Sequence, residues 1–195
     1  MVIDPDVAYW DRGVRNVPDM TGAKQLLDAQ DLRHVAEAIG IDLPFRGTVL
    51  DVGCGTGRAS QLCEAYVGAD IAPSSVQYCK RRGLDARVVG ESYDIVRMLK
   101  AFNTVLCISV FTHISREKRN EYLAVFADVA ATPRKGFRLL VDIIQGDGNG
   151  DVSLWTSVDE DFRIDLAANG FVVLGAADFR WTDGVLHRYF WVKLA

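Results

Sequence analysis

The sequence predicts an α/β domain built around a mostly parallel β-sheet. From residue 48 onward, short segments of apolar and β-branched residues alternate with longer segments whose apolar residues recur at helical spacing. This alternation is typical of βαβ units with right-handed crossovers. The 195 residues, of which 49% are hydrophobic and 25% charged, are enough for one domain with a core of ordinary size.

The first half of the chain contains four predicted strands, at 48–52, 66–71, 86–89 and 104–109. Apolar periodicity predicts helices between them, at 57–65, 73–82 and 92–100. Pro73 favours a helix start and Gly83 a helix end. The segment 104–109 is apolar at both odd and even positions, so it predicts a central strand that is covered on both faces.

The second half continues the alternation, with helices predicted at 115–131 and 159–169 and strands at 137–143, 171–177 and 188–194. Ser115 and Lys118 form half of a capping box, three glycines predict a loop at 145–151, and Asp183-Gly184 predicts a turn. A further helix is predicted at 21–39. We expect a single domain in which residues 1–45 form a helical lid over a core of residues 46–195.

Composition narrows the class of function. The net charge of −4 gives no support for nucleic-acid binding, which usually requires a basic face. The two basic clusters, at 80–82 and 116–119, have acids nearby and are interpreted as solvated helix faces. The four cysteines and three histidines lack metal-ligand spacing, so neither a metal site nor a disulfide framework is expected. Free thiols, no visible signal peptide and no long apolar run lead us to expect a cytoplasmic protein without a membrane partner.

The most informative segment is the glycine-rich turn after the first predicted strand. Three alternate glycines, Gly53, Gly55 and Gly57, follow the strand, and a helix is predicted after them. Glycines are needed where a backbone turns sharply or a ligand lies on the main chain, and we expect unpaired N–H groups to face that ligand. Dinucleotide-binding turns have the different spacing G-x-G-x-x-G. Asp51 would repel a pyrophosphate and suits a cationic amino group.

A second acid, Asp70, ends the second predicted strand, 19 positions after Asp51. An acid at this place accepts hydrogen bonds from ribose hydroxyls in α/β nucleotide sites. An adenosine that carries an amino acid group and no phosphate satisfies both acids.

Four segments, at 49–57, 67–71, 102–114 and 133–140, resemble the motifs of class I S-adenosylmethionine-dependent methyltransferases, in the same order. The resemblance implies a Rossmann-like seven-stranded sheet of order 3-2-1-4-5-7-6, with strand 7 antiparallel and helices on both faces. It implies S-adenosylmethionine as the methyl donor and S-adenosylhomocysteine as the product. The family often has Asp where Asn103 stands. The chain also lacks the N/D-P-P-Y/F/W signature after strand four, which disfavours methylation of DNA base amines.

The resemblance also implies roles for individual residues in donor binding. Asp51 would bind the methionine amino group and Asp70 the ribose, while Gly53, Gly55 and Gly57 would let the donor approach the backbone. Glu91 is the candidate for facing the adenine amino group, and the alternative is a solvated residue at a helix start. The predicted donor site further contains Cys54, Ile71 and Ser109.

His113 is the predicted general base, because it follows the fourth strand, where ligands meet the carboxyl edge of such sheets. The alternative is that His113 caps a helix or packs on the donor. His34 and His187 are weaker candidates, since one lies in the N-terminal helix and the other beside the last strand. An acceptor pocket is expected between residues 145–155 and the N-terminal segment with Tyr9, Trp10, Arg12 and Arg15.

These observations predict methyl transfer to an O, N or S atom of a small-molecule acceptor. Two alternatives stay open: a methyltransferase that acts on a protein or RNA, and a donor-binding module without catalysis. A nicotinamide oxidoreductase is disfavoured by the glycine spacing and by Asp51. The sequence predicts no oligomeric state.

Overall fold

The computed structural model describes residues 22–90, 102–130, 136–145, 156–180 and 185–195, with side chains except those of 22–29, 129, 130 and 156. The strands are β1 (Phe45–Val52), β2 (Cys63–Asp70), β3 (Asp85–Val88), β4 (Thr104–Cys107), β5 (Arg138–Gln145), β6 (Thr156–Ser157), β7 (Phe171–Arg180) and β8 (Leu186–Leu194). The helices are α1 (Gly22–Ile39), α2 (Pro73–Arg81), α3 (Arg116–Ala130) and α4 (Asp159–Ala168). Two 3-10 helices cover Arg58–Leu62 and Phe111–His113.

All of these strands belong to one sheet, in the order β3-β2-β1-β4-β5-β8-β7, with β6 beside β5. Strand β8 runs antiparallel to β5 and β7, and the other pairs are parallel. Along the seven-strand path β8 is the seventh strand and lies between the fifth and the sixth. The predicted fold, including the order 3-2-1-4-5-7-6, is therefore confirmed. The two-residue strand β6, which pairs with Ile144 and Gln145, is an addition that the sequence did not predict.

The sheet is buried on both faces because each side of its central strands is apolar. On one face, Val105 and Cys107 of β4 pack in a cluster with residues of α3 and α4. On the other face, Leu106 packs with Leu32 and Val35 of α1. Strand β4 lies between β1 and β5, which confirms its predicted central place. None of the helices in the described part of the chain combines the length and the apolar character that crossing a bilayer requires.

Pairing between strands explains where the observed elements differ from the predicted ones. The predicted helix at 57–65 is only the 3-10 helix Arg58–Leu62, and β2 already begins at Cys63. Residues 63–65 pair with β1, and this pairing satisfies backbone groups that a helix would otherwise satisfy locally. Strands β7 and β8 likewise extend beyond the predicted segments because they pair as far as Arg180 and Leu186. The predicted helix at 92–100 and the Asp183-Gly184 turn lie outside the described residues.

Candidate active site

The glycine turn lies at the carboxyl edge of the sheet, directly after β1. Gly53, Gly55 and Gly57 have φ angles of 71°, 53° and 73°, a region that residues with a Cβ atom rarely occupy. A Cβ atom at Gly53 would overlap Cγ2 of Val110, and one at Gly57 would lie 2.6 Å from Cδ1 of Leu84. A Cβ atom at Gly55, in contrast, would meet nothing within 4 Å. Gly55 therefore borders open space into which a ligand can approach the backbone.

Four backbone N–H groups of this turn are paired within the protein. Those of Gly53 and Cys54 donate to the carbonyl of Ala69, and that of Gly57 donates to the carbonyl of Cys54. The Gly55 N–H donates to Oδ2 of Asp70 at 2.8 Å. For these four groups the expectation that unpaired N–H groups face the ligand is wrong. A turn with few spare donors offers little to a phosphate, which agrees with a ligand that carries none.

Asp51 is buried at the end of β1, with only 4% of its surface exposed. The hydroxyl of Tyr66 donates to its Oδ2 at 2.8 Å. Burial raises the pKa of Asp51 to about 7, although the Tyr66 hydrogen bond and the charge of Arg58 oppose this shift. Because burial destabilises the ionised carboxylate, a nearby cation stabilises it, and Asp51 is therefore suited to bind a ligand's ammonium group.

Asp70 ends β2 and connects the glycine turn to the start of α2. Its Oδ2 accepts from Gly55, and its Oδ1 accepts from the N–H of Ala72 at 2.8 Å. Burial raises the pKa of this carboxyl group, and the backbone hydrogen bonds act in the opposite direction. Each carboxylate oxygen has two lone pairs, so both can still accept from ribose hydroxyls. The sequence predicted the ribose role of Asp70 but not its part in shaping the turn.

Cys54 and Ile71 lie beside these acids. The Cys54 side chain is buried against Gly68, where a Cβ atom would come within 2.8 Å of its Sγ. Any contact of Cys54 with a donor would therefore involve its backbone. Ile71 follows Asp70 and is half-buried.

Ser109, in the loop after β4, connects the glycine turn to a buried pair on β5 and β8. Its φ of 59° makes it the single non-glycine residue with positive φ in the described ranges. Its N–H donates to Oδ1 of Asp142 at 2.6 Å, and its Oγ accepts from Arg58 Nη2 at 3.0 Å. The other oxygen of Asp142, Oδ2, lies 2.6 Å from Nδ1 of His187.

The sequence missed this Asp142–His187 pair. Asp142 is the one acid in the apolar segment 139–144, and that position was its only signal. His113, the predicted base, ends the 3-10 helix after β4 and is half-buried, while His34 is exposed on α1. Glu91, the four residues named in the N-terminal segment and residues 146–155 lie outside the described residues, so their roles stay predictions.

A family model described as a methyltransferase domain matches residues 49–132. No curated protein matches the sequence. Among solved structures, magnesium protoporphyrin IX methyltransferase from Synechocystis PCC 6803, with bound S-adenosylhomocysteine, has a TM-score of 0.63 and 17% identity, covering 98% of this chain and 95% of its own. A SAM-dependent methyltransferase from Archaeoglobus fulgidus has a TM-score of 0.67 and 14% identity, covering 87% and 94%.

A third similar structure is the 1,6-didemethyltoxoflavin-N1-methyltransferase of Burkholderia thailandensis, with bound 1,6-didemethyltoxoflavin and S-adenosylhomocysteine. Its TM-score is 0.63 at 17% identity, and the match covers 97% of this chain and 86% of that one. At these identities the structural matches establish the fold. The family match confirms the predicted resemblance to methyltransferases over residues 49–132, and S-adenosylmethionine stays the predicted methyl donor.

Proposed function

We propose that this chain is a class I S-adenosylmethionine-dependent methyltransferase that transfers the methyl group to an O, N or S atom of a small-molecule acceptor. The observation that carries the proposal is the glycine turn, where open space beside Gly55 is flanked by the buried carboxylates of Asp51 and Asp70. The similar enzymes named for magnesium protoporphyrin and for 1,6-didemethyltoxoflavin support a small molecule as the acceptor.

In this proposal the donor is held by charge at one end and by hydrogen bonds at the other. Asp51, supported by the Tyr66 hydroxyl, binds the ammonium group, and Asp70 accepts from the ribose hydroxyls. Gly53, Gly55 and Gly57 leave the backbone accessible, and Cys54, Ile71 and Ser109 border the same site. Glu91 stays the predicted partner of the adenine amino group.

The donor supplies an electrophilic methyl group on a sulfonium centre, so the protein's main task is alignment. Fixing two reactants in a productive geometry contributes up to about 7–11 kcal/mol in ideal cases. We propose that the N-terminal segment 1–45 covers the site and excludes water, and that the acceptor lies between this segment and the loop after β5. His113 stays the base predicted from sequence for acceptors that lose a proton.

Transfer of a labelled methyl group would test the proposal. The protein is incubated with S-adenosylmethionine, labelled on the methyl group, and with a cell extract divided into a small-molecule and a macromolecular fraction. We expect label in a small-molecule product, loss of transfer in Asp70→Ala, and normal transfer in Asp42→Asn, which changes an exposed acid outside the site. Label found only in protein or RNA would contradict the proposed acceptor class.

A further inference from the structure

We propose that His187, oriented by Asp142, accepts the proton that the acceptor atom loses during methyl transfer, in place of His113. This assignment rests on the proposed function, since it requires an acceptor atom that carries a proton.

The Asp142–His187 pair lies at the carboxyl edge of the sheet. Because β8 is antiparallel to β5, its first residues lie at the carboxyl end of β5, with His187 opposite Ile144 and Tyr189 opposite Asp142. Ligands of such sheets bind at this carboxyl edge. The pair therefore lies on the edge that also carries the glycine turn.

The Asp142–His187 pair and Asp51 lie on the same face of the sheet. Side chains alternate along a strand, and Val49, Leu140 and Tyr189 all pack in the cluster with α1. Asp51, Asp142 and His187 each lie two positions from one of these residues, so they are on the same face. Strands β1 and β8 are three strand spacings apart, about 14 Å. By register Asp51 lies level with Leu140, whereas His187 lies opposite Ile144, so the pair lies further toward the carboxyl edge, on the side of β4 and β5 away from Asp51.

Each carboxylate oxygen of Asp142 has its own hydrogen-bonding contact. The carboxylate is fully buried, with one oxygen on the Ser109 N–H and the other on Nδ1 of His187. The hydrogen bond to the Ser109 N–H is enough to hold the loop after β4, so the contact with His187 is additional. Because a carboxylate only accepts hydrogen bonds, Asp142 is suited to hold Nδ1 as the donor, and the proposal then assigns proton uptake to the other ring nitrogen, Nε2. An imidazole fixed in this tautomer by a buried acid is suited to accept a proton.

The proton transfer also balances the charge of the reaction. As the acceptor atom bonds to the methyl carbon, the carbon–sulfur bond breaks and its electron pair stays on sulfur. The acceptor's proton moves to Nε2 and makes an imidazolium beside Asp142. One positive charge disappears at the sulfonium and one appears at His187, next to a carboxylate that stabilises it.

The test compares His187→Gln, Asp142→Asn and the control His34→Gln, which changes an exposed residue of α1. The variants are first checked for S-adenosylhomocysteine affinity and thermal unfolding. We expect His187→Gln to keep S-adenosylhomocysteine affinity while its single-turnover transfer of labelled methyl to the small-molecule fraction of the cell extract falls about 10²–10⁴-fold. The remaining rate should continue to rise with pH, because only acceptor that is already deprotonated reacts, and Asp142→Asn should show the same change.

Among the described residues, the charged and titratable groups near the ring include Asp142 on β5, Tyr189 stacked beside it on β8, and Arg58, which reaches the network through Ser109. Leu32, Val35 and Ala36 of α1 pack on the same face of the sheet. In the protein without donor, proton NMR should show a far-downfield Nδ1–H signal that both His187→Gln and Asp142→Asn remove. This signal reports the orientation of the ring independently of activity.

An unchanged rate and pH profile in a folded His187→Gln variant would overturn the proposal. Loss of rate in His113→Gln with none in His187→Gln would return the role to His113. If the wild-type protein binds S-adenosylhomocysteine but methylates no acceptor, the proposed function fails instead, and the two failures are distinguishable.

Discussion

The raised pKa of Asp51 predicts that donor affinity depends on pH near neutrality. Burial raises this pKa to about 7, so in the empty protein the carboxyl group is half protonated at pH 7. An ammonium group binds the carboxylate and not the neutral acid, so each binding event at lower pH must release a proton. Affinity therefore falls as pH decreases. With a pKa of about 7, the ionised fraction falls about 50-fold between pH 7 and pH 5, and the affinity should follow it.

Calorimetric titration with S-adenosylhomocysteine between pH 5 and pH 7 measures this effect, since the amino group of the ligand stays protonated over that range. Repeating the titrations in buffers of different ionisation enthalpy counts the proton released on binding. Asp51→Asn should bind weakly at every pH and lose the slope, while Asp42→Asn should keep both the affinity and the slope. A wild-type affinity that is constant from pH 7 to pH 5 would refute the reasoning.

Four further predictions follow from the same contacts. Without donor, Asp51→Asn should increase the free energy of unfolding at pH 8 by up to about 4 kcal/mol and raise the unfolding temperature, because the folded state no longer contains an ionised buried carboxylate. This gain in stability should fade as the pH falls toward 4, where the wild-type carboxyl group is protonated in the folded state. Asp70→Ala should weaken S-adenosylhomocysteine binding more than tenfold and lower stability, since it removes the acceptor of a buried N–H group at Ala72 and a part-buried one at Gly55. Tyr66→Phe should move the midpoint of the pH-dependent affinity upward, because its hydrogen bond lowers the Asp51 pKa. Gly53→Ala should prevent stable folding in thermal scans, whereas Gly55→Ala should fold, at a strain of about 1–2 kcal/mol, and lose donor affinity.

The sequence predicted which strand ends carry the glycine turn and the two acids because these signals are local. The glycine spacing, the acid two residues before it and the acid that ends the next strand each lie within a few residues of a strand end. The carboxyl ends of parallel strands lie at the same edge of the sheet, so the glycine turn and the two acids can be placed close together without any prediction of long-range contacts. The central place of β4 followed in the same way from its apolar residues.

The remaining features depend on contacts between distant residues. Asp142 and His187 are 45 positions apart and meet only because β8 inserts antiparallel between β5 and β7. The N–H groups of Gly53, Cys54 and Gly55 donate to Ala69 and Asp70, about 15 residues further on. The helix predicted at 57–65 is reduced to the 3-10 helix Arg58–Leu62, and its last residues belong to β2, where they pair with β1.

A crystal structure with S-adenosylhomocysteine bound would test the central claim most directly. We predict that its amino group lies within hydrogen-bonding distance of Asp51, that its ribose hydroxyls contact Asp70, and that its chain passes over Gly55. Product bound away from this turn, or a nicotinamide dinucleotide occupying it with phosphates on the backbone amides, would contradict the account.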